Sequence, residues 1–386
     1  MVSRRSFLRT AGAGGAALFA GDLVAARGRE ALAAGRLHPD PHAAAALIRV
    51  DSNENPNGPA PAVLDAMRAM FSESNRYPKD TDVELRDAIA RKHGVRTEQI
   101  LLGCGSGEVL RYATEAFTSS GRALVSAAPT FEIPVRTALR LGAQVREPRV
   151  DSQLRLDLDA MTAAAAGAGL VFFCNPNNPT GRVYGKADAV AFIRGVQRRA
   201  PDAVVLVDEA YFEYVADLAY DTLIPMAVDD PRVVVARTFS KVHGLAGMRV
   251  GYAVAHEKTI ATLEPLRLAS GVNVLAARAA VTAMGLRDHV DRERAANQAT
   301  RDFTVRALRE AGLDCQPTHT NFVMTDIHRD AALFQKACRE RGVAVGRPFP
   351  PLATYLRLSI GTMDEMRSAV RVVREALDTV AAPPGS

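Results

Sequence analysis

Short β-branched apolar runs alternate with segments of helical spacing through the middle of this chain, and that alternation limits the possible folds more than any other feature. Ile100-Leu101-Leu102, Ala123-Leu124-Val125, Leu170-Val171-Phe172-Phe173, Val204-Val205-Leu206-Val207 and Val233-Val234-Val235-Ala236 read as buried strands. Helices are expected between them over 109–117, 131–141 and 187–199. Such a chain builds a mostly parallel sheet covered by helices, an α/β fold with ligands at the carboxyl ends of its strands.

The polar motifs fall at those ends. Gly103-Cys104-Gly105-Ser106-Gly107-Glu108 joins a strand to a helix, where backbone N–H groups and the helix dipole favour an anion. The turn lacks both the third glycine of a dinucleotide site and the lysine of a P-loop. Asn175-Pro176-Asn177-Asn178-Pro179-Thr180-Gly181 leaves one strand and Asp208-Glu209-Ala210-Tyr211 the next. Beyond the third comes Arg237 to Tyr252, in which Lys241 follows two hydroxyls, Thr238 and Ser240, and precedes Arg249 by eight positions. An amine nucleophile among phosphate-holding groups is what a pyridoxal phosphate Schiff base needs. Asp208 could keep a pyridine nitrogen protonated, and Asn178 and Tyr211 could hydrogen-bond a phenolic oxygen. Read alone, Asp208-Glu209 also suits a Mg²⁺ carboxylate pair, a reading that requires an upstream P-loop.

The flanks are less regular. Ile48 to Pro56 is an extended piece ending in the polar turn Asn53-Glu54-Asn55-Pro56, followed by helices over 61–71 and 82–92 with Tyr77 in the loop between. A long helical stretch, 275–312, marks passage to a second domain, with strands at 319–324 and 355–361 and helices at 331–341 and 364–380. Arg357 lies in the second strand with Leu356 and Leu358 turned the other way, suited to gripping a carboxylate with two parallel bonds.

At 386 residues and 48% apolar composition the chain can bury a large core. Ser3-Arg4-Arg5-Ser6-Phe7-Leu8, followed by an alanine-rich apolar run, matches a twin-arginine export signal over 1–33 and predicts an exported, periplasmic enzyme, cytoplasmic if the leader is unused. That leader carries net +3 of the chain's +5, and with six lysines and no basic run beside aromatics nucleic-acid binding is not expected. Nor is a membrane span. Cys104, Cys174, Cys315 and Cys338 are widely spaced with no CxxC, and the histidines show no metal-ligand spacing, so free thiols and no metal are expected.

Taken in order, NENP, RYP, GCGSGE, NPNNPTG, DEAY, SKVHGLAGMRVGY and LRLSIGT resemble the class I/II aminotransferases of fold type I, nearest the histidinol-phosphate aminotransferase branch. The resemblance runs from about residue 47 to the last helix. It implies a large domain (77–275) with a seven-stranded sheet, a smaller α+β domain (276–386) joined by the segment 34–76, and pyridoxal phosphate as cofactor. It further implies Lys241 as Schiff-base lysine and proton shuttle, Asp208 at the pyridine nitrogen, and Asn178 and Tyr211 at the phenolic oxygen. Ser106, Gly107, Ser240 and Arg249 would hold the phosphate and Phe131 would stack on the ring. Arg357, Asn55 and Arg347 would meet the substrate. Tyr77 would reach the cofactor of a partner subunit, which implies a homodimer with shared sites.

Three positions depart from the family pattern: Gly107 stands where an acidic residue is common, Phe131 where tyrosine is common, and Arg347 is displaced by one position beside Pro348. The last weighs against histidinol phosphate as substrate, as does export. The reaction expected is amino-group transfer between an amino acid, or a histidinol-phosphate-like amine, and a 2-oxo acid. A decarboxylase or β-lyase of the same fold is the near alternative, and a non-catalytic cofactor-binding sensor the distant one.

Overall fold

The computed structural model describes residues 47–381, so the leader expected at 1–33 lies outside the described residues. The strands are β1 (Ile48–Val50), β2 (Ile100–Gly103), β3 (Ala123–Val125), β4 (Val145–Arg146), β5 (Ala168–Cys174), β6 (Val204–Asp208), β7 (Val233–Thr238), β8 (Gly251–Ala255), β9 (Phe322–Asp326), β10 (Val343–Val345) and β11 (Tyr355–Ser359). The α-helices are α1 (Pro61–Ala69), α2 (Lys79–His93), α3 (Ser106–Phe117), α4 (Ile133–Arg140), α5 (Leu158–Ala164), α6 (Lys186–Arg199), α7 (Ile224–Asp229), α8 (Glu257–Leu263), α9 (Val274–Met284), α10 (Arg287–Glu310), α11 (Ala331–Glu340) and α12 (Met363–Thr379).

Seven strands form one sheet in the order β2-β8-β7-β6-β5-β3-β4. All pairings are parallel except those of β8, which runs against both its neighbours. Successive residues face opposite sides, and both sides are covered. Val171, Phe173, Val205, Val207 and Val235 enter one apolar core, while Leu170, Phe172, Leu206 and Val234 enter the other. A one-residue slip would exchange the two sets, so the register is fixed, and it sets Cys174 beside Asp208 and Asp208 beside Ala236. The exits of β5, β6 and β7 therefore lie side by side.

The strand β8 was not expected from sequence. It is rich in glycine and alanine, and it needs no helix to return because it is antiparallel to β7. The loop 239–250 between them carries Lys241. Gly251 admits no side chain, since a Cβ there would sit 2.4 Å from the Ser106 nitrogen.

Beyond this sheet, β1 pairs in parallel with β10 and β11 runs antiparallel to β9. Their apolar faces share a core with α10, α11 and α12 that includes Val50, Leu308, Phe334, Leu358 and Val373. The long helix expected over 275–312 is two helices broken near Gly285. The first, α9, begins with Asn273 capping the Ala276 N–H, and its alanines pack with α1 and α2 in a core of the large sheet. It thus sits with the large sheet although it lies past the 275/276 boundary, because a small-residue face permits close helix packing.

Candidate active site

A cavity of about 580 Å³ opens where the exits of β6 and β7 face the start of α3, the turn at 51–54 and β11. At its floor Asp208, the last residue of β6, is 3% exposed. Burial pushes its carboxyl up to about 7, opposed by the Ala210 N–H bond to Oδ1 (3.1 Å) and by the Lys241 charge. Lys241 Nζ donates to the Asn53 carbonyl at 3.0 Å and lies 5.4 Å from the Tyr211 ring centre. Burial, with the Arg357 charge adding to it, lowers this amine to about 8. A larger share is then uncharged and nucleophilic near neutral pH.

At one end of the floor, Gly105 adopts φ +79° and ψ 164°, a backbone state open essentially to glycine. A Cβ there would meet the Arg249 guanidinium at 2.6 Å. Arg249 itself holds φ +59°, and its Nη1 donates to the Ala246 carbonyl at 2.8 Å. Ser106 and Gly107 begin α3, so their N–H groups need partners from outside the helix. The Ser240 N–H donates to Thr238 Oγ1 (3.1 Å) and the Thr238 hydroxyl to Ser240 Oγ (2.9 Å), leaving the Ser240 proton free to donate. Amide, hydroxyl and guanidinium donors thus line this part of the cavity, a set that suits a phosphate.

Arg357, which also lines the cavity, is 7% exposed and forms no salt bridge among the described residues. Its Nη1 donates to Asn178 Oδ1 at 2.7 Å, its Nη2 to the Asp51 carbonyl at 2.6 Å, and its Nε has no partner there. Burial lowers the guanidinium to about 10, still charged at neutral pH. A buried cation with a free donor calls for an anion. At the mouth Arg347 pairs with Glu132, its Nη1 donates to the Pro348 carbonyl, and Glu132 also pairs with Arg136. Both Arg347 and Arg357 lie against the Phe349 ring, at 4.5 and 4.8 Å from its centre.

The cavity gathers Ser106, Gly107, Phe131, Asn178, Asp208, Tyr211, Ser240, Lys241, Arg249, Arg347 and Arg357. Two expected residues stay outside it. Asn55 donates to the Val242 carbonyl at 2.9 Å, bracing the loop beside Lys241. Tyr77 is 83% exposed in the loop before α2. Asn53, Asp51, Glu132 and Ser359 were not singled out from sequence. Two carried a signal, Asn53 in the same polar turn as Asn55 and Ser359 in the LRLSIGT motif.

The family model of aminotransferase class I and II matches residues 45–373. The chain belongs to this family. This aminotransferase is 37% identical over 339 residues to the histidinol-phosphate aminotransferase of Moorella thermoacetica, covering 86% of each chain. It is 33% identical over 340 residues to that of Bacillus subtilis, covering 86% of this chain and 92% of the other. The crystal structure of histidinol-phosphate aminotransferase from Sinorhizobium meliloti in complex with pyridoxal-5'-phosphate superposes with a TM-score of 0.80 at 27% identity, over 86% of this chain and 90% of that one. The reaction of this aminotransferase is pyridoxal phosphate-dependent transamination. The lining fits that cofactor: amide, hydroxyl and guanidinium donors from Ser106, Gly107, Ser240 and Arg249 suit a phosphate, and the buried Asp208 carboxyl and the Lys241 amine line the same cavity.

Proposed function

We propose that this aminotransferase takes a donor bearing an α-carboxylate, with Lys241 as nucleophile and proton carrier and Arg357 as the carboxylate grip. The observation that carries the reading is the buried Arg357 guanidinium, which has no salt bridge and a free Nε among the described residues and lines the same cavity as Lys241. Pyridoxal phosphate, when bound, supplies an aldehyde for amines and a ring that accepts the electron pair left on Cα. Asp208, with Oδ1 held by the Ala210 N–H, keeps Oδ2 to hold a proton on the ring nitrogen. Tyr211 and Asn178 serve the phenolic oxygen, Phe131 stacks on the ring, and Ser106, Gly107, Ser240 and Arg249 hold the phosphate. Lys241 Nζ takes the proton from Cα and returns it. A carboxylate held by Arg357 stays on the product, which favours transamination over decarboxylation.

At the mouth Arg347 already has Glu132 and a carbonyl as partners, which supports an amino acid over histidinol phosphate as donor. Mixing the enzyme and cofactor with single donors, and following the visible band and oxo-acid, CO₂ and ammonia release, tests this. Faster reaction with histidinol phosphate than with every carboxylate donor, or CO₂ release as the main product, would overturn it.

A homodimer with shared sites is part of the same reading. Phe71, Tyr77, Val83 and Leu268 are exposed, the first three in α2 or just before it in sequence, and an Asp82–Arg267 ion pair joins the segments of the last two, which supports an apolar contact surface there. Light scattering gives the mass, and mixed dimers of Tyr77→Ala with Lys241→Ala chains test sharing by recovering one working site. The twin-arginine motif supports export to the periplasm, and Arg4→Lys with Arg5→Lys should retain the enzyme in the cytoplasm on cell fractionation.

A further inference from the structure

We infer that Asn53 is a positioning residue which, oriented by Ser359, makes Tyr211 a one-way hydrogen-bond donor aimed into the cavity. The inference rests on the cavity being the pyridoxal phosphate site and adds a residue pair that acts on it from behind.

Asn53 is 1% exposed and holds φ +54°, a left-handed state that asparagine tolerates better than most residues. Every polar atom of it is engaged by a residue remote in sequence. Its N–H donates to Ser359 Oγ at 2.8 Å. The Ser359 proton then goes to Asn53 Oδ1, also at 2.8 Å. That bond fixes which way the amide faces, so Nδ2 donates to the Tyr211 hydroxyl at 2.9 Å. Nδ2 has no lone pair to accept in return. The Tyr211 proton must point elsewhere, and Tyr211 lines the cavity. The flipped amide would aim two N–H donors at Ser359 Oγ and leave the serine proton unmatched, so the directions are mutually consistent in one sense only.

The neighbours hold this arrangement. Phe322, paired with Ser359 across β9 and β11, meets the Tyr211 ring edge-on at 5.3 Å. The Asn53 carbonyl accepts from Asn321 Nδ2 at 3.0 Å and from Lys241 Nζ at 3.0 Å. Charged or titratable groups facing Tyr211 are Arg357, Cys174, Asp208, Lys241 and Tyr214. Ser359 and Arg357 stand two residues apart on one face of β11, so one strand carries both the carboxylate grip and the group that sets the tyrosine proton.

A donor fixed on the phenolic oxygen favours the anionic form of that oxygen, so the relay lowers the pH at which the visible band of the bound cofactor changes. The test is that midpoint, read by absorbance of holoenzyme, with the dissociation constant for pyridoxal phosphate alongside. Ser359→Ala should raise the midpoint by about half a unit or more, and Asn53→Asp, whose carboxylate accepts the tyrosine proton, by about one unit or more. In a Tyr211→Phe background Ser359→Ala should add nothing, and the Asn53→Asp shift should shrink to what its new charge produces directly. An unchanged midpoint in Ser359→Ala, with or without a lower melting temperature, overturns the relay. So does a shift of full size without the Tyr211 hydroxyl. Failure of the unaltered protein to acquire a visible band with pyridoxal phosphate would instead remove the reading on which the relay rests.

Discussion

The floor and the mouth of the cavity use the same charged groups in opposite settings. On the floor Asp208 and Arg357 are almost fully buried and neither forms a salt bridge among the described residues, which leaves each able to meet a group that arrives with the ligand. At the mouth Glu132 and Arg347 are about one-third and one-half exposed and already satisfy one another. Unmatched charge in a dry site carries a large penalty and tolerates few partners. A screened pair at the rim carries little energy and rearranges readily. The floor therefore sets the reaction type, and the mouth is the part free to vary with substrate.

Removal of Lys241 is the hardest blow to the floor. Lys241→Ala should abolish the visible band and lower turnover by roughly 10⁴-fold, the upper range for a proton-transfer group. Retained transamination in that variant would refute its role. Asp208→Asn should lower kcat/KM by about 10²- to 10³-fold, the scale of one lost preorganised electrostatic partner.

Asp208 also leaves a pH signature in the cofactor-free protein. Its folded carboxyl titrates near 7, against about 3.9 in an unfolded chain. The folded state thus holds the extra proton between those values, and stability falls as pH rises from about 4 to about 7. Asp208→Asn should flatten that part of the curve of melting temperature against pH. Parallel curves for the two proteins would show that the burial of this carboxyl is not felt.

The parts of this site that sequence disclosed are those built by neighbours in the chain. Strand exits are local: an apolar run ends, a polar turn begins, and Asn178, Asp208 and Lys241 fall where they were expected. Asn53 has a role that cannot be read locally, because Tyr211 lies 158 positions away and Ser359 306. Glu132 reaches Arg347 across 215 positions. The strand β8 escaped because three of its five residues, Gly251, Ala253 and Ala255, have weak strand preference and owe their conformation to β2 and β7 on either side. Asn55 shows the converse: the turn was legible, but which of its two asparagines faces inward depends on the positive φ of Asn53.

Arg357→Lys tests the boundary between floor and mouth. Lysine keeps the charge and loses the planar fork, so KM for carboxylate donors should rise by about 10- to 100-fold while cofactor affinity changes little. An equal loss of cofactor affinity would mean that Arg357 acts through Asn178 on the ring rather than on the substrate.

The smallest effects belong to the rim. Glu132→Gln should alter stability by less than about 1 kcal/mol, since the pair it breaks is half exposed. Its consequence is selectivity, because Arg347 then loses its counter-charge beside the substrate and donors with a second acidic group should gain in kcat/KM over neutral ones. Arg347→Ala should act in the opposite sense, leaving Glu132 to Arg136 and removing a cation from the Phe349 ring. The two variants should thus move the ratio of acidic to neutral donor in opposite directions, by about tenfold or less each. Movement in the same direction would place donor selection elsewhere. Because Phe349 touches Arg357 as well, a change of KM for every donor alike in Arg347→Ala would mean that the rim acts by holding the carboxylate grip in place.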